Sequence, residues 1–260
     1  MSAFSWAQAV RQGPAHEAMS IPCQDALSVR ASAGRDGRPW IVAALADGAG
    51  SASHSEHGSQ YITECFTSFV CEALSEFEIE TEADLEDLVS RGVMLVRDAL
   101  FKVADSNARA INDYATTLLV CVSNAERCAF AQIGDGAIVI GAVGARKVVF
   151  RPQHGAFVNE TAFLTNATAQ DDIQVLVLDA APDSIVMFSD GLEDLLVSPK
   201  DFAVHPPLFA FLDAAFAERE ADGVVEELSD RLAQMLASNA VTSRSDDDTS
   251  ILAIHLEDKP

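Results

Sequence analysis

Short apolar runs ending in an aspartate-glycine pair alternate with helical stretches along this chain. Residues 40 to 46 form the first such run, and Asp47-Gly48 closes it. From Ser59 the spacing changes: Tyr61, Ile62, Cys65, Phe66, Phe69, Val70 and Leu74 recur at three- and four-residue intervals, which predicts a helix. A second helix is predicted over about residues 83 to 107, with Leu85, Leu88, Val89, Val96, Ala99, Leu100 and Val103 on one face and charges on the other. Three runs rich in Val, Ile and Thr follow, at 115 to 123, 128 to 134 and 137 to 143, separated by short turns. They predict an antiparallel meander.

Residues 151 to 170 are polar and irregular, and then residues 173 to 178 and 185 to 188 read as strands. A helix is predicted to begin at Gly191, directly after Asp190. Pro206-Pro207 is read as a break ahead of an apolar helix over 208 to 217, followed by an amphipathic helix over 224 to 236 and a last strand over 250 to 256. With no internal repeat and no low-complexity linker in view, one domain over residues 1 to 260 is the expectation.

Hydrophobic residues make up 49% of the 260, enough for a substantial core. No apolar stretch reaches the length of a membrane span, and the first residues lack the charged-then-apolar order of a secretory signal, so a cytoplasmic protein without a membrane partner is expected. Forty acidic residues against 17 basic ones give a net charge of -23, which repels phosphate backbones and argues against nucleic acid as a partner. Five cysteines, Cys23, Cys65, Cys71, Cys121 and Cys128, lack a Cys-x-x-Cys pair and read as buried small hydrophobes in a reducing compartment.

The candidate chemistry lies in the acidic residues. Asp47-Gly48, Asp135-Gly136 and Asp190-Gly191 each end an apolar run, and Asp246-Asp247-Asp248 opens the last one. Asp-Gly is also an ordinary turn dipeptide, and Asp36-Gly37 and Asp222-Gly223 read that way. Strand ends gathered in a sheet would converge carboxylates whose repulsion is tolerable with cations between them. Oxygen donors favour Mg²⁺ or Mn²⁺, and two such ions about 3.5–4 Å apart suit phosphoester hydrolysis. The polar loop over 49 to 58 suits close approach of a ligand. Its two histidines, His54 and His57, could bind metal, although a solvated loop is the favoured reading.

The ordered set Gln24-Asp25-Ala26, Ala46-Asp47-Gly48-Ala49-Gly50, Ala115-Thr116-Thr117-Leu118, Ile133-Gly134-Asp135-Gly136, Asn159-Glu160-Thr161, Ser189-Asp190-Gly191-Leu192 and Asp247-Asp248-Thr249-Ser250 resembles the PPM (type 2C) family of metal-dependent protein serine/threonine phosphatases, in particular its compact bacterial branch. The resemblance runs from about residue 6 to residue 256. It implies an α+β fold, two packed antiparallel β-sheets flanked by helices, with a binuclear Mn²⁺ or Mg²⁺ centre and a weaker third ion. By motif, Asp47 would bridge both ions, the Gly48 carbonyl would join one, Asp190 and Asp247 would hold the other, Asp25 would steady the Gly48-side ion, and Asp135 would serve the third. Asp246 stays open as the alternative to Asp247. The implied substrates are phosphorylated proteins, including those of a cognate Ser/Thr kinase, and a monomer is expected.

Two departures bear on substrate binding. Where the family's animal members carry a phosphate-binding Arg, this chain has Ser20 or a neighbour, so the phosphate-binding residue is open, with Arg11 a weak candidate. His16 matches a histidine of the compact branch and could contact phosphate or protonate the leaving alkoxide, making it a catalytic candidate beside Asp47 and Asp190. The segment 153 to 165 corresponds to the family's variable flap. Cys121 and Arg127 have the Cys-x₅-Arg spacing of thiol phosphatases, but the segment lacks Gly and leads into a strand, so a hairpin with a buried cysteine is expected. The remaining alternative is a catalytically weak pseudophosphatase or phosphoprotein-binding module of the same fold.

Overall fold

A computed structural model describes residues 4–142, 144–151, 161–218 and 222–256. In chain order its elements are β1 (Phe4–Arg11), α1 (Pro14–Met19), β2 (Asp25–Ala33), β3 (Pro39–Asp47), α2 (Ser55–Glu76), α3 (Glu82–Ser106), β4 (Leu118–Ser123), β5 (Cys128–Ile133), β6 (Ala137–Ile140) and β7 (Lys147–Val148). There follow α4 (Ala169–Asp172), β8 (Gln174–Leu178), β9 (Ser184–Phe188), α5 (Glu193–Leu196), α6 (Pro206–Ala217), β10 (Gly223–Val224), α7 (Glu226–Leu236), α8 (Asn239–Thr242) and β11 (Thr249–Leu256). The class is α+β, with two β-sheets flanked by helices. The chain divides into two compact units, one of residues 1–23, 136–151 and 182–260, the other of residues 24–135 and 152–181.

The first unit holds the sheet β10-β1-β11-β9-β6-β7. β1 pairs antiparallel with β11 along its whole length, from Phe4 opposite Leu256 to Arg11 opposite Thr249, while β10 joins β1 in parallel. Ala7, Ala9, Val186, Phe188, Ile251 and Ala253 face a layer of Leu192, Phe209, Leu212, Phe216, Leu228, Leu232 and Leu236 from the helices. Small alanines on β1 give helix side chains room against the sheet. They also hide the strand from a reading based on large apolar residues, so β1 is an addition to the expected elements. Pro206 and Pro207 do not precede α6 as a break but form its first turn, where the missing N–H groups have no helical partner in any case.

The second unit holds the antiparallel sheet β2-β3-β4-β5-β8. Trp40, Val42, Ala44 and Ala46 alternate onto the face covered by α2 and α3, whose Ile62, Phe66, Val70, Leu85, Val89, Val93 and Val96 complete the core. Helix α3 matches its expected span and starts at a capping box: Thr81 Oγ1 accepts from Asp84 N, and the Asp84 carboxylate accepts from Thr81 N. Helix α2 begins at Ser55 rather than Ser59, because its first turn is polar and carries no apolar signal.

The expected meander is corrected. β4 and β5 form a hairpin, but the far edge of β5 pairs with β8, and β6 belongs to the other sheet, beside β9 and β7. Gly134, at φ +112, turns the chain out of β5, a conformation most L-residues avoid. β2 is a further addition. Most of its residues are only partly buried or exposed, so its sequence lacks a clean apolar alternation.

Candidate active site

In the second unit, strand register places Asp25 directly opposite Asp47 at the end of the β2–β3 pair. Residues facing each other in such a pair share one face, with Cβ atoms about 4.5–5.5 Å apart. Asp25 is buried and Asp47 half-buried, so two ionised carboxylates here repel unless positive charge stands near them. The backbone around them is firmly held. Asp47 N donates to Thr117 Oγ1 at 3.0 Å, and the Asp47 carbonyl accepts from Thr117 N at 2.8 Å and Thr116 Oγ1 at 2.9 Å. Gly48 N donates to the Gln24 carbonyl at 3.1 Å, and the same oxygen accepts from Ser59 Oγ at 2.6 Å. Thr116 and Thr117 therefore clamp the strand end that presents Asp47.

Asp135 follows the turn at Gly134, where an added Cβ would meet Thr117 Cγ2 at 2.5 Å. The acidic turn after β5 is thus packed against the same threonine that holds Asp47. Thr161 Oγ1 donates to Asp135 Oδ2 at 2.5 Å. The flap residues 153 to 160, with Asn159 and Glu160 of the quoted motif, lie outside the described residues.

In the first unit, the loop before α1 is pressed onto the aspartate run before β11. Gly13 N donates to Asp248 Oδ1 at 2.7 Å, and Ala15 N donates to the Asp246 carbonyl at 3.0 Å. A Cβ on Gly13 would lie 2.2 Å from the Asp247 carbonyl carbon, so only glycine allows this approach. His16 Nδ1 stands 2.9 Å from Asp248 Oδ2, at ion-pair distance, with both residues buried. His16, Asp247 and Asp248 each offer a ligand atom within 4.8 Å of the others. Asp247 is exposed, and its Oδ1 accepts from Asp248 N at 2.8 Å. Asp190 is half-buried, and its neighbour Gly191 sits against the Asp248 carbonyl, where a Cβ would be 2.3 Å away. The unit thus gathers His16, Asp247 and Asp248, with Gly191, next to Asp190, packed on the Asp248 carbonyl; the buried contacts of Asp248 are not disclosed by the sequence.

Glycine conformation separates the two plain-turn pairs from two of the three pairs that end apolar runs, Asp47-Gly48 and Asp190-Gly191. Gly37 and Gly223, in the pairs read as plain turns, have φ of +80 and +99, and a Cβ added at either would meet nothing within 4 Å. Gly48 and Gly191 have no positive φ and are instead closed in by a second segment: Ser55 at 2.7 Å for Gly48, Asp248 at 2.3 Å for Gly191. Backbone freedom explains the first kind and close approach the second.

Arg11 lies 3.4 Å from Glu17 on α1, and Ser20 is the left-handed cap of that helix at φ 56. Cys121 is buried in the β4–β5 hairpin, 3.8 Å from Cys128 Sγ, and burial, reinforced by that neighbouring thiol, pushes its pKa well up. Asn124 N donates to the Arg127 carbonyl in the turn. A buried protonated thiol on a strand has neither the thiolate nor the phosphate-cradling loop of a thiol phosphatase.

A family model described as protein phosphatase 2C matches residues 12–237. Over 242 residues the chain is 28% identical to serine/threonine-protein phosphatase 3 of Escherichia coli (strain K12), covering 92% of this chain and 93% of that protein. Among solved structures, the serine/threonine phosphatase Stp1 of Staphylococcus aureus aligns with a TM-score of 0.67 at 14% identity, covering 97% of this chain and 95% of that one. The catalytic domain of the phosphatase PstP, in complex with two manganese ions, aligns with a TM-score of 0.64 at 18% identity, covering 98% and 99%.

Proposed function

The chain belongs to the protein phosphatase 2C family of serine/threonine phosphatases, and from that premise we propose that it hydrolyses phosphoserine and phosphothreonine esters of protein substrates with water activated by divalent cations. The observation that carries this reading is the pairing of Asp25 with Asp47 at one strand end, held by Thr116, Thr117 and Gln24. The donor set fits Mn²⁺ or Mg²⁺: Asp25, Asp47, the Gly48 carbonyl, Asp135, Asp190 and Asp247 are all hard oxygen ligands. Two ions, with a weaker third at Asp135, are part of the proposal, as is the service of residues 1 to 260 as one catalytic domain. When bound, such ions lower the pKa of water and neutralise phosphoryl charge.

The chain's own residues supply position and proton transfer. Thr116 and Thr117 hold the Asp47 backbone in place, so its carboxylate is presented without reorganisation when substrate arrives. With Nδ1 of His16 turned to Asp248, Nε2 is the atom through which the ring would meet a phosphoryl oxygen or pass a proton to the leaving alkoxide. Asp248 is then a positioning residue, and Gly13 in turn holds Asp248. The substrates of a cognate Ser/Thr kinase are the natural protein partners of this activity.

Phosphopeptide turnover with Mn²⁺, with EDTA and with the Asp47→Asn protein tests the reading. EDTA and Asp47→Asn are each expected to remove most activity while the circular dichroism spectrum is kept. Full turnover in metal-free buffer overturns it, and phosphopeptide binding without turnover in the metal-loaded protein would favour the pseudophosphatase.

A further inference from the structure

Among the described residues, apart from the oxygen-rich clusters, one group of side chains has the make-up of a nitrogen-rich metal site. His54, Glu56 and His57, at the start of α2, each offer a ligand atom within 4.8 Å of the others. Glu56 Oε1 is 2.7 Å from His57 Nδ1 and 4.0 Å from His54 Nδ1, and the two rings meet edge-on with centroids 5.9 Å apart. Tetrahedral zinc ligands at about 2.0–2.2 Å from the metal stand roughly 3.4 Å from one another. The two observed separations, 2.7 and 4.0 Å, bracket that value, and ligand-atom shifts of about 0.7 Å by side-chain rotation would bring both to it.

The frame under these groups is held. His54 N donates to the Asp113 carbonyl at 2.8 Å, and the ring lies 5.8 Å from that of Tyr114. Ser55 packs against Gly48, and Gly58 against the Tyr114 carbonyl, so the first turn of α2 is fixed on both sides of Glu56 and His57. Three ligands from four consecutive residues need no distant loop to close. The positive end of the helix dipole opposes a cation here, but Glu56 and the net charge of -23 act in its favour.

We propose that His54, Glu56 and His57 bind one borderline divalent cation of the zinc class, with the remaining coordination position left to water. Imidazole nitrogen selects such ions over Mg²⁺, whereas the carboxylate clusters prefer the harder ion, so one chain carries two kinds of metal site of different selectivity. Through Ser55, a cation at this place would stiffen the segment that leaves Gly48.

Equilibrium dialysis of the full chain against micromolar Zn²⁺, with millimolar Mg²⁺ present for the oxygen sites, tests the proposal. The wild type and Asp47→Asn proteins should each retain one Zn²⁺ equivalent that His54→Ala/His57→Ala lacks, and His57→Ala alone should weaken it by tenfold or more. Co²⁺ added in place of Zn²⁺ should give visible absorption of a low-coordinate nitrogen site, lost in the same variants. His57 is exposed, so His57→Ala keeps the test open if the double variant misfolds. Equal stoichiometry and affinity in wild type and His57→Ala overturn the site, as does loss of the equivalent in Asp47→Asn alone, which would assign the ion to the carboxylates. Neither result depends on phosphatase turnover.

Discussion

Replacing Gly48 by alanine adds one methyl group at the point where the acidic strand end meets the start of α2. The new Cβ would lie 2.7 Å from Ser55 Cβ and 2.9 Å from the Ser55 backbone. Carbon contacts settle near 3.5–4.0 Å, so the two segments must separate by about 1 Å. Overpacking of this size costs about 1–3 kcal/mol of stability, and a displacement of about 1 Å in catalytic geometry costs on the order of 100-fold in rate. Gly37→Ala provides the control. Its Cβ meets nothing within 4 Å, and its φ of +80 implies a backbone penalty of about 1–2 kcal/mol with no effect on turnover. Phosphopeptide kcat/KM with Mn²⁺, read beside the melting temperature of both variants, separates the two effects. Gly48→Ala should lose both stability and most activity, Gly37→Ala stability alone. Full activity in a Gly48→Ala protein would refute the view that close approach, rather than turn conformation, is why glycine follows Asp47.

Asp248→Asn keeps an oxygen for Gly13 N but replaces the carboxylate beside His16. It should lower kcat by roughly ten- to a hundredfold and alter the pH profile while Mn²⁺ stoichiometry by calorimetry is unchanged; loss of a tightly bound ion would instead make Asp248 a ligand. Cys121→Ser should retain hydrolysis, and the native Cys121 thiol, its pKa raised by burial, should resist iodoacetamide at neutral pH and react only as the protein unfolds, as mass spectrometry can read. Abolished turnover in a folded Cys121→Ser protein would return the thiol mechanism to contention.

How far the chain can be read without its structure follows from which signals are local. The large apolar residues of α2 and α3 repeat at the helical period, while β3 and β9 are short continuous apolar runs, so each emerges from local sequence alone. The acidic strand ends emerge too, because an apolar run closing on Asp-Gly is visible in a few consecutive residues. β1 and β2 do not: alanine, serine and glutamine carry little burial signal by themselves, and only pairing with β11 and β3 makes them strands. The departure of β6 from its hairpin neighbours is equally hidden, since the choice between β8 and β6 as partner for β5 depends on a contact far along the chain.

The site divides the same way. Asp25, Asp47, Asp135, Asp190 and Asp247 can be named from sequence as donors of one chemical kind. Tertiary structure alone sets Asp25 opposite Asp47, makes Thr116 and Thr117 a clamp on the backbone N–H and carbonyl of Asp47, and seats Asp248 beside His16. Residue type and short-range spacing determine which atoms can bind a cation or move a proton. Register and close packing, which join residues far apart in the chain, determine which of those atoms meet.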